Sequence, residues 1–179
     1  MKKILLGILA ATLLFSTAAC SSGKEELLSK TPFPEFSEVD TQGNSVTSDI
    51  FGDYDATIVN FWNNGCGTCI AEMPELEALY QELKADNINL IGVASDSGES
   101  QEQLETAQNI LSEKSVTYVN LSPNPDNALY QDFLSQLTGY PTTYIVDSEG
   151  NIIGAPIIGN VKDQEETLDK RLEQAVNGS

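Results

Sequence analysis

The chain has 179 residues, of which 40% are hydrophobic and 20% charged, a balance that fits one globular domain and not a disordered chain. Nine Lys and Arg against 27 Asp and Glu give a net charge of -18, which excludes a backbone binder of nucleic acid and a polybasic grip on anionic lipid. Histidine is absent, so His-based metal sites, His general bases and Ser-His-Asp triads are excluded as well.

In chain order, the first feature is an address. Lys2 and Lys3 precede an apolar stretch from Ile4 to Phe15, too short for a spanning helix, and small residues follow from Ser16 to Ala19. This predicts a signal peptide over 1–19. Thr17-Ala18-Ala19-Cys20 resembles a bacterial lipoprotein processing box, with Thr17 in the place of the common Leu. The resemblance implies that Cys20 is lipidated and anchors the protein on the extracytoplasmic face of the cell membrane. Acylation would also remove an odd thiol from an exported chain. Residues 20–35, which end in Pro32-Phe33-Pro34, then read as a tether, and 36–178 as a single domain.

Within that domain, strands and helices alternate. Ala56 to Trp62 is a β-rich apolar run that predicts a central strand. Leu76, Leu79, Tyr80 and Leu83 give the following helix an apolar face. Ile88 to Ala94 is a second buried strand. Glu99 to Leu111 reads as a helix with Leu104, Ala107 and Leu111 inward, and Val116 to Leu121 as a short strand. A turn at Ser122 to Pro125 leads to a helix marked by Tyr130, Phe133, Leu134 and Leu137, stopped at Gly139. Thr142 to Val146 and Asn151 to Ile158 predict an antiparallel hairpin around Asp147 to Gly150. Leu168, Leu172, Ala175 and Val176 mark the last helix. The order predicts an α/β three-layer sandwich.

The chemistry sits at Cys66-Gly67-Thr68-Cys69, directly after the central strand and at the start of a helix. Unpaired N–H groups and the helix dipole favour a thiolate at the first cysteine. One turn later, the second is close enough to resolve a mixed disulfide. Cys66 is therefore the expected nucleophile and Cys69 the resolving thiol. Two other readings stand beside this one. A structural bridge usually closes a longer loop, and a metal knuckle needs about four ligands, where His is absent and Cys20 is expected to be acylated and distant. No metal and no cofactor are expected.

Phe61 to Pro74 looks like the active-site segment of the TlpA/ResA-like branch of the thioredoxin superfamily, and Gly139 to Asp147 followed by Gly150 resembles its second signature. The resemblance covers about 36–178. It implies a thioredoxin-like three-layer sandwich with a central mixed sheet, and the branch's helix/strand insertion at 99–111 and 116–121. It also implies that Pro141 is cis beside the cysteines and that the Tyr140 backbone pairs with an incoming peptide strand. Thr142 falls in the same substrate-facing turn. Glu72 falls where cytochrome-maturation members carry an acidic residue. A carboxylate there could take a proton from Cys69 if burial raised its pKa, and the alternative is a solvated helix residue. Pro74 matches the family's helix-bending proline. Trp62 would pack beside the disulfide, or serve only the core. Asn60 replaces the buried Asp of ordinary thioredoxins, and Gly65 replaces a bulky residue before the first cysteine, leaving a barer docking surface.

Such proteins are thiol-disulfide oxidoreductases. The resemblance implies a reductase fed by a CcdA/DsbD-like membrane donor. Exported clients such as methionine sulfoxide reductase or apocytochrome c would receive the electrons, from a protein that is expected to be a monomer. A disulfide-forming oxidase would use the same residues. A peroxiredoxin-like peroxidase would need Thr and Arg at the cysteine, and the sole arginine is Arg171, in the final helix. A non-enzymatic lipoprotein would have no use for both signatures.

Overall fold

The structure, a computed structural model, describes residues 29–178. The expected signal peptide and Cys20 lie outside the described residues. Among the described residues, nine strands form one mixed sheet. They are β1 (Lys30–Pro32), β2 (Ser37–Asp40), β3 (Ser45–Thr47), β4 (Ala56–Trp62), β5 (Ile88–Ala94), β6 (Asn120–Ser122), β7 (Thr142–Asp147), β8 (Asn151–Ile153) and β9 (Ile157–Ile158). The α-helices of the described residues are α1 (Gly67–Leu83), α2 (Gln101–Glu113) and α3 (Glu165–Asn177).

The strand order is β1-β8-β7-β4-β5-β6-β2-β3, with β9 also paired to β7. β4 and β5 run parallel over their whole length, from Ala56↔Ile88 to Trp62↔Ala94. All seven residues of each are buried, as expected of central parallel strands covered on both faces. β7 lies antiparallel on the other side of β4. Alternation along β4 separates two cores. Ile58 faces Leu76, Leu168 and Leu172 of α1 and α3. Val59 and Phe61 face a ring-rich cluster of Phe33, Phe36, Phe51, Leu129 and Leu134. The result is the expected thioredoxin-like arrangement, a mixed sheet flanked by helices.

Four local expectations differ. Residues 30–35, read as tether, belong to the fold: β1 pairs with β8, and Phe33 is buried against Phe36, Phe51, Phe61 and Phe133 at ring-centroid distances of 5.1 to 6.4 Å. Of 116–121, only Asn120 and Leu121 enter a strand, because the preceding stretch bonds to α1 instead. Thr117 N and Oγ1 both donate to the Glu77 carboxylate, each at 2.7 Å. The Tyr130–Leu137 segment is one wide π-helical turn (Leu129–Phe133) followed by a tight 3-10 turn (Leu134–Gln136), not an α-helix. The expected strand from Asn151 to Ile158 is split, since Gly154 takes a φ of 70° and Pro156 has no N–H for a ladder. Val176 of α3 is exposed, while Leu168, Leu172 and Ala175 face the core.

Phe33→Ala tests the domain edge. It should cost about 3 kcal/mol in urea unfolding, the lower end for emptying a buried Phe site. An unchanged midpoint would return the segment to the tether.

Candidate active site

β4 delivers the chain to Trp62, and the next four residues turn it into α1. Cys66 is the N-cap of that helix. Its Sγ accepts a hydrogen bond from Cys69 N at 3.2 Å and lies 3.6 Å from Thr68 Oγ1. Cys66 and Cys69 are joined as a disulfide, with Cα atoms 5.3 Å apart. The two sulfurs are not equivalent. Cys66 is half-buried beside the exposed Gly65, Gly67 and Thr68, whereas Cys69 is 1% exposed. An external sulfur reaches Cys66 alone. The same helix end that holds Sγ would hold a thiolate released there, because the orphan N–H groups and the dipole both favour negative charge.

The turn before Cys66 is held from outside α1. Asn64 N donates to both carboxylate oxygens of Asp96 at 3.1 Å, and Asn64 Nδ2 donates to Gln103 O and Oε1 at 2.9 and 2.7 Å. The approach of Cys66 is thus fastened to the loop after β5 and to α2.

Glu72 lies one turn beyond Cys69 and is only 2% exposed. Asn60 Nδ2 donates to its Oε1 and Val161 N to its Oε2, both at 3.2 Å. Asn60 Nδ2 also donates to Thr143 Oγ1 at 3.0 Å, so the carboxyl ties α1 to β4, β7 and the loop before α3. Burial pushes the Glu72 carboxyl up to about 7, against the opposing pull of those two hydrogen bonds. A group with that value can accept a proton from a thiol near neutral pH and return it. Glu72 also borders a cavity of about 160 Å³ between α1 and α3, which has room for water.

Pro141 is buried and follows a cis peptide bond from Tyr140. Tyr140 and Cys66 both pack against the cluster of Trp62, Cys69 and Met73. Cys66, Cys69 and Tyr140 thus share one cluster, with Gly65 and Pro141 next to Cys66 and Tyr140 in the chain and Glu72 one helical turn further along α1. Thr142 and Trp62 are placed differently. Thr142 is buried, its hydroxyl donating to Gly139 O at 2.8 Å, so its side chain holds the turn. Trp62 is 1% exposed and offers no surface to a partner. α1 runs on through Pro74, which is exposed and leaves the Ile70 carbonyl without its usual helical donor.

One site residue was not legible. Asn120 accepts from Trp62 Nε1 at 2.9 Å and donates to Tyr118 O at 3.0 Å. Its amide lies against the bare backbone of Gly92, where a Cβ would come within 2.0 Å of Asn120 Oδ1. This bond fixes the ring that packs on Cys69. A glycine inside a buried strand was the available signal. Arg171 is half-buried in α3, and among the described residues its Nη1 has no hydrogen-bond partner. Also among the described residues, no group of three or more His, Cys, Asp or Glu is placed to hold a metal, and no helix is long and apolar enough to cross a membrane.

Comparison with known proteins gives the same picture. The model of the AhpC/TSA family matches residues 30–155. The thiol:disulfide interchange protein HelX of Rhodobacter capsulatus is 30% identical over 68% of this chain and 61% of its own length. The thiol-disulfide oxidoreductase ResA of Oceanobacillus iheyensis is 29% identical over 66% of this chain and 56% of its own. The chain therefore spans less than two thirds of either relative. Among solved structures, the thioredoxin domain of a thiol-disulfide oxidoreductase from Bacteroides vulgatus has a TM-score of 0.65 and 27% identity, covering 80% of this chain and 97% of that one.

The Glu72 carboxyl makes stability depend on pH in a definite direction. Its folded value, about 7, lies above the ordinary 4.5, so the native state keeps a proton that the unfolded chain releases. Stability from this group is full below the ordinary value and falls as pH rises towards about 7, by on the order of 3 kcal/mol in all. Glu72→Gln should flatten the urea midpoint between about pH 4.5 and 7, the window that this shift spans. Parallel profiles for the two proteins would show that the carboxyl is not protonated in the fold.

Proposed function

We propose that this chain, which belongs to the AhpC/TSA family, is a membrane-anchored, extracytoplasmic thiol-disulfide oxidoreductase that reduces disulfides of exported partner proteins. The observation that carries the reading is the asymmetry of the cysteine pair: a reachable sulfur capping a helix, and a buried one a single turn behind it. A structural bridge needs no such asymmetry. The likeness to HelX and ResA supports the same reaction class.

In the reducing direction the cycle starts from the dithiol. The Cys66 thiolate attacks one sulfur of a client disulfide. A mixed disulfide forms and the first client sulfur leaves as a thiolate. Cys69 then gives its proton to Glu72, and its thiolate attacks Cys66 Sγ. The second client sulfur leaves and takes up a proton. Two electrons have passed to the client, and Cys66–Cys69 is the disulfide seen here. Proteins such as methionine sulfoxide reductase or apocytochrome c have the right chemistry as clients. A membrane dithiol donor of the CcdA/DsbD type would restore the pair. Lipidation at Cys20 would hold the protein beside that donor, with Tyr140 and Pro141 receiving the client backbone. The peroxidase alternative lacks support at the cysteine, because the sole arginine belongs to α3.

Single substitutions separate the two thiols. Cys66→Ser should abolish turnover of a protein disulfide. Cys69→Ser should accumulate a mixed disulfide with the client, visible as a thiol-sensitive adduct on a non-reducing gel. Full multiple-turnover activity in Cys69→Ser would mean that the roles are wrongly assigned.

A further inference from the structure

A groove of about 290 Å³ opens beside the cysteine pair and is walled by Asn63, Asp96, Glu99, Tyr130, Leu134 and Tyr140. Two of its walls are continuous with the reactive site. Asn63 O accepts Cys66 N at 3.1 Å, and Tyr140 packs in the same cluster as Cys66 and precedes Pro141. No residue lining the groove carries a positive charge.

Both carboxylates keep capacity for a ligand. Asp96 is half-buried and accepts Asn64 N, and Glu99 accepts the Tyr130 hydroxyl at 2.5 Å. An ionised carboxylate has about four acceptor positions, so each has room for further donors. Tyr130 and Tyr140 line the groove alongside. Two carboxylates beside aromatic rings, with no cation of the protein's own, are complementary to a lysine or arginine side chain. The ammonium or guanidinium would gain charge-assisted hydrogen bonds from the acids and a cation–π contact from the rings. The net charge of -18 adds long-range attraction for a basic client and repels an acidic one.

We propose that this groove is a specificity subsite that takes a cationic side chain of the client, carried within about two residues of the client cysteine that bonds to Cys66. The proposal rests on the thiol-exchange reading and names the chemistry of the partner segment. Asp96 has two tasks in this account, holding the turn through Asn64 and facing the groove. Glu99 faces the groove without contact to that turn.

The test uses the full chain, reduced, with oxidised peptides that differ only in Lys, Gln or Glu beside the cysteine, and hydroxyethyl disulfide as an uncharged reference. The Lys peptide should exceed the Gln peptide about tenfold in kcat/KM at low salt, and the Glu peptide should fall below both. Glu99→Gln, alone and with Asp96→Asn, should bring the Lys/Gln ratio towards one. Because the readout is a ratio within one protein, any general loss of activity cancels. A ratio near one in the unaltered chain, or an undiminished ratio in the double variant, overturns the subsite. If hydroxyethyl disulfide and every peptide go unreduced, it is the exchange reading that fails. Unreactive Ser-for-Cys peptides then decide the groove by binding: tighter capture of the Lys peptide supports it, and equal capture overturns it.

Discussion

A carboxyl buried one helical turn behind a buried thiol is the constraint around which this fold is arranged. Glu72 could not sit at 2% exposure without partners, since an unpaired buried acid is costly. β4 supplies Asn60, and the loop before α3 supplies the Val161 amide. Asn60 in turn binds Thr143 on β7. Three elements distant in sequence are thus tied to the first turns of α1, where the cysteines lie. The arrangement satisfies the acid while leaving it close to neutrality. At the place where the resemblance would set a buried Asp, the strand carries the Asn60 amide, which donates to the carboxyl on the helix.

The second constraint acts on the nucleophile from the other side. Cys66 is placed by a strand end, a helix N-terminus and the Asn64 link to Asp96 and Gln103. Trp62 braces the resolving cysteine through a bond to Asn120, and Gly92 makes the space for that amide. Asn120 belongs to β6 and Gln103 to α2, which together form the segment expected to be an insertion. That segment does more than lengthen the sheet. It positions both the turn before Cys66 and the ring behind Cys69.

Central strands and the three helices were legible, because β4 and β5 are mostly apolar and β-rich, and α1, α2 and α3 repeat their apolar residues at helical spacing. The cysteine pair was legible for a chemical reason, its spacing at a strand-to-helix junction. β2 was not, and its pattern explains why. Its buried residues are Glu38 and Asp40, while Val39 is 44% exposed, so hydrophobic alternation points the wrong way. Long-range partners make this possible: Asn124 N and Asn127 Nδ2 satisfy Glu38, and Asn44 satisfies Asp40. β1 contains two residues before its Pro32 and buries none of its three, so only pairing with β8 reveals it. The state of Glu72 was open for the same reason. A helix position shows its spacing in the sequence but not the amide that arrives from 89 residues away.

The equilibrium potential of the Cys66–Cys69 pair in the full chain, measured against a defined thiol/disulfide buffer, tests the account most directly. CxxC pairs range from about -270 mV in reducing proteins to about -120 mV in oxidising ones. A helix cap that favours the thiolate acts against a low potential, and a donor-fed reductase must nonetheless reach one. The account predicts a value near or below about -240 mV. A value between about -160 and -120 mV would contradict it and make the same two cysteines a donor of disulfides.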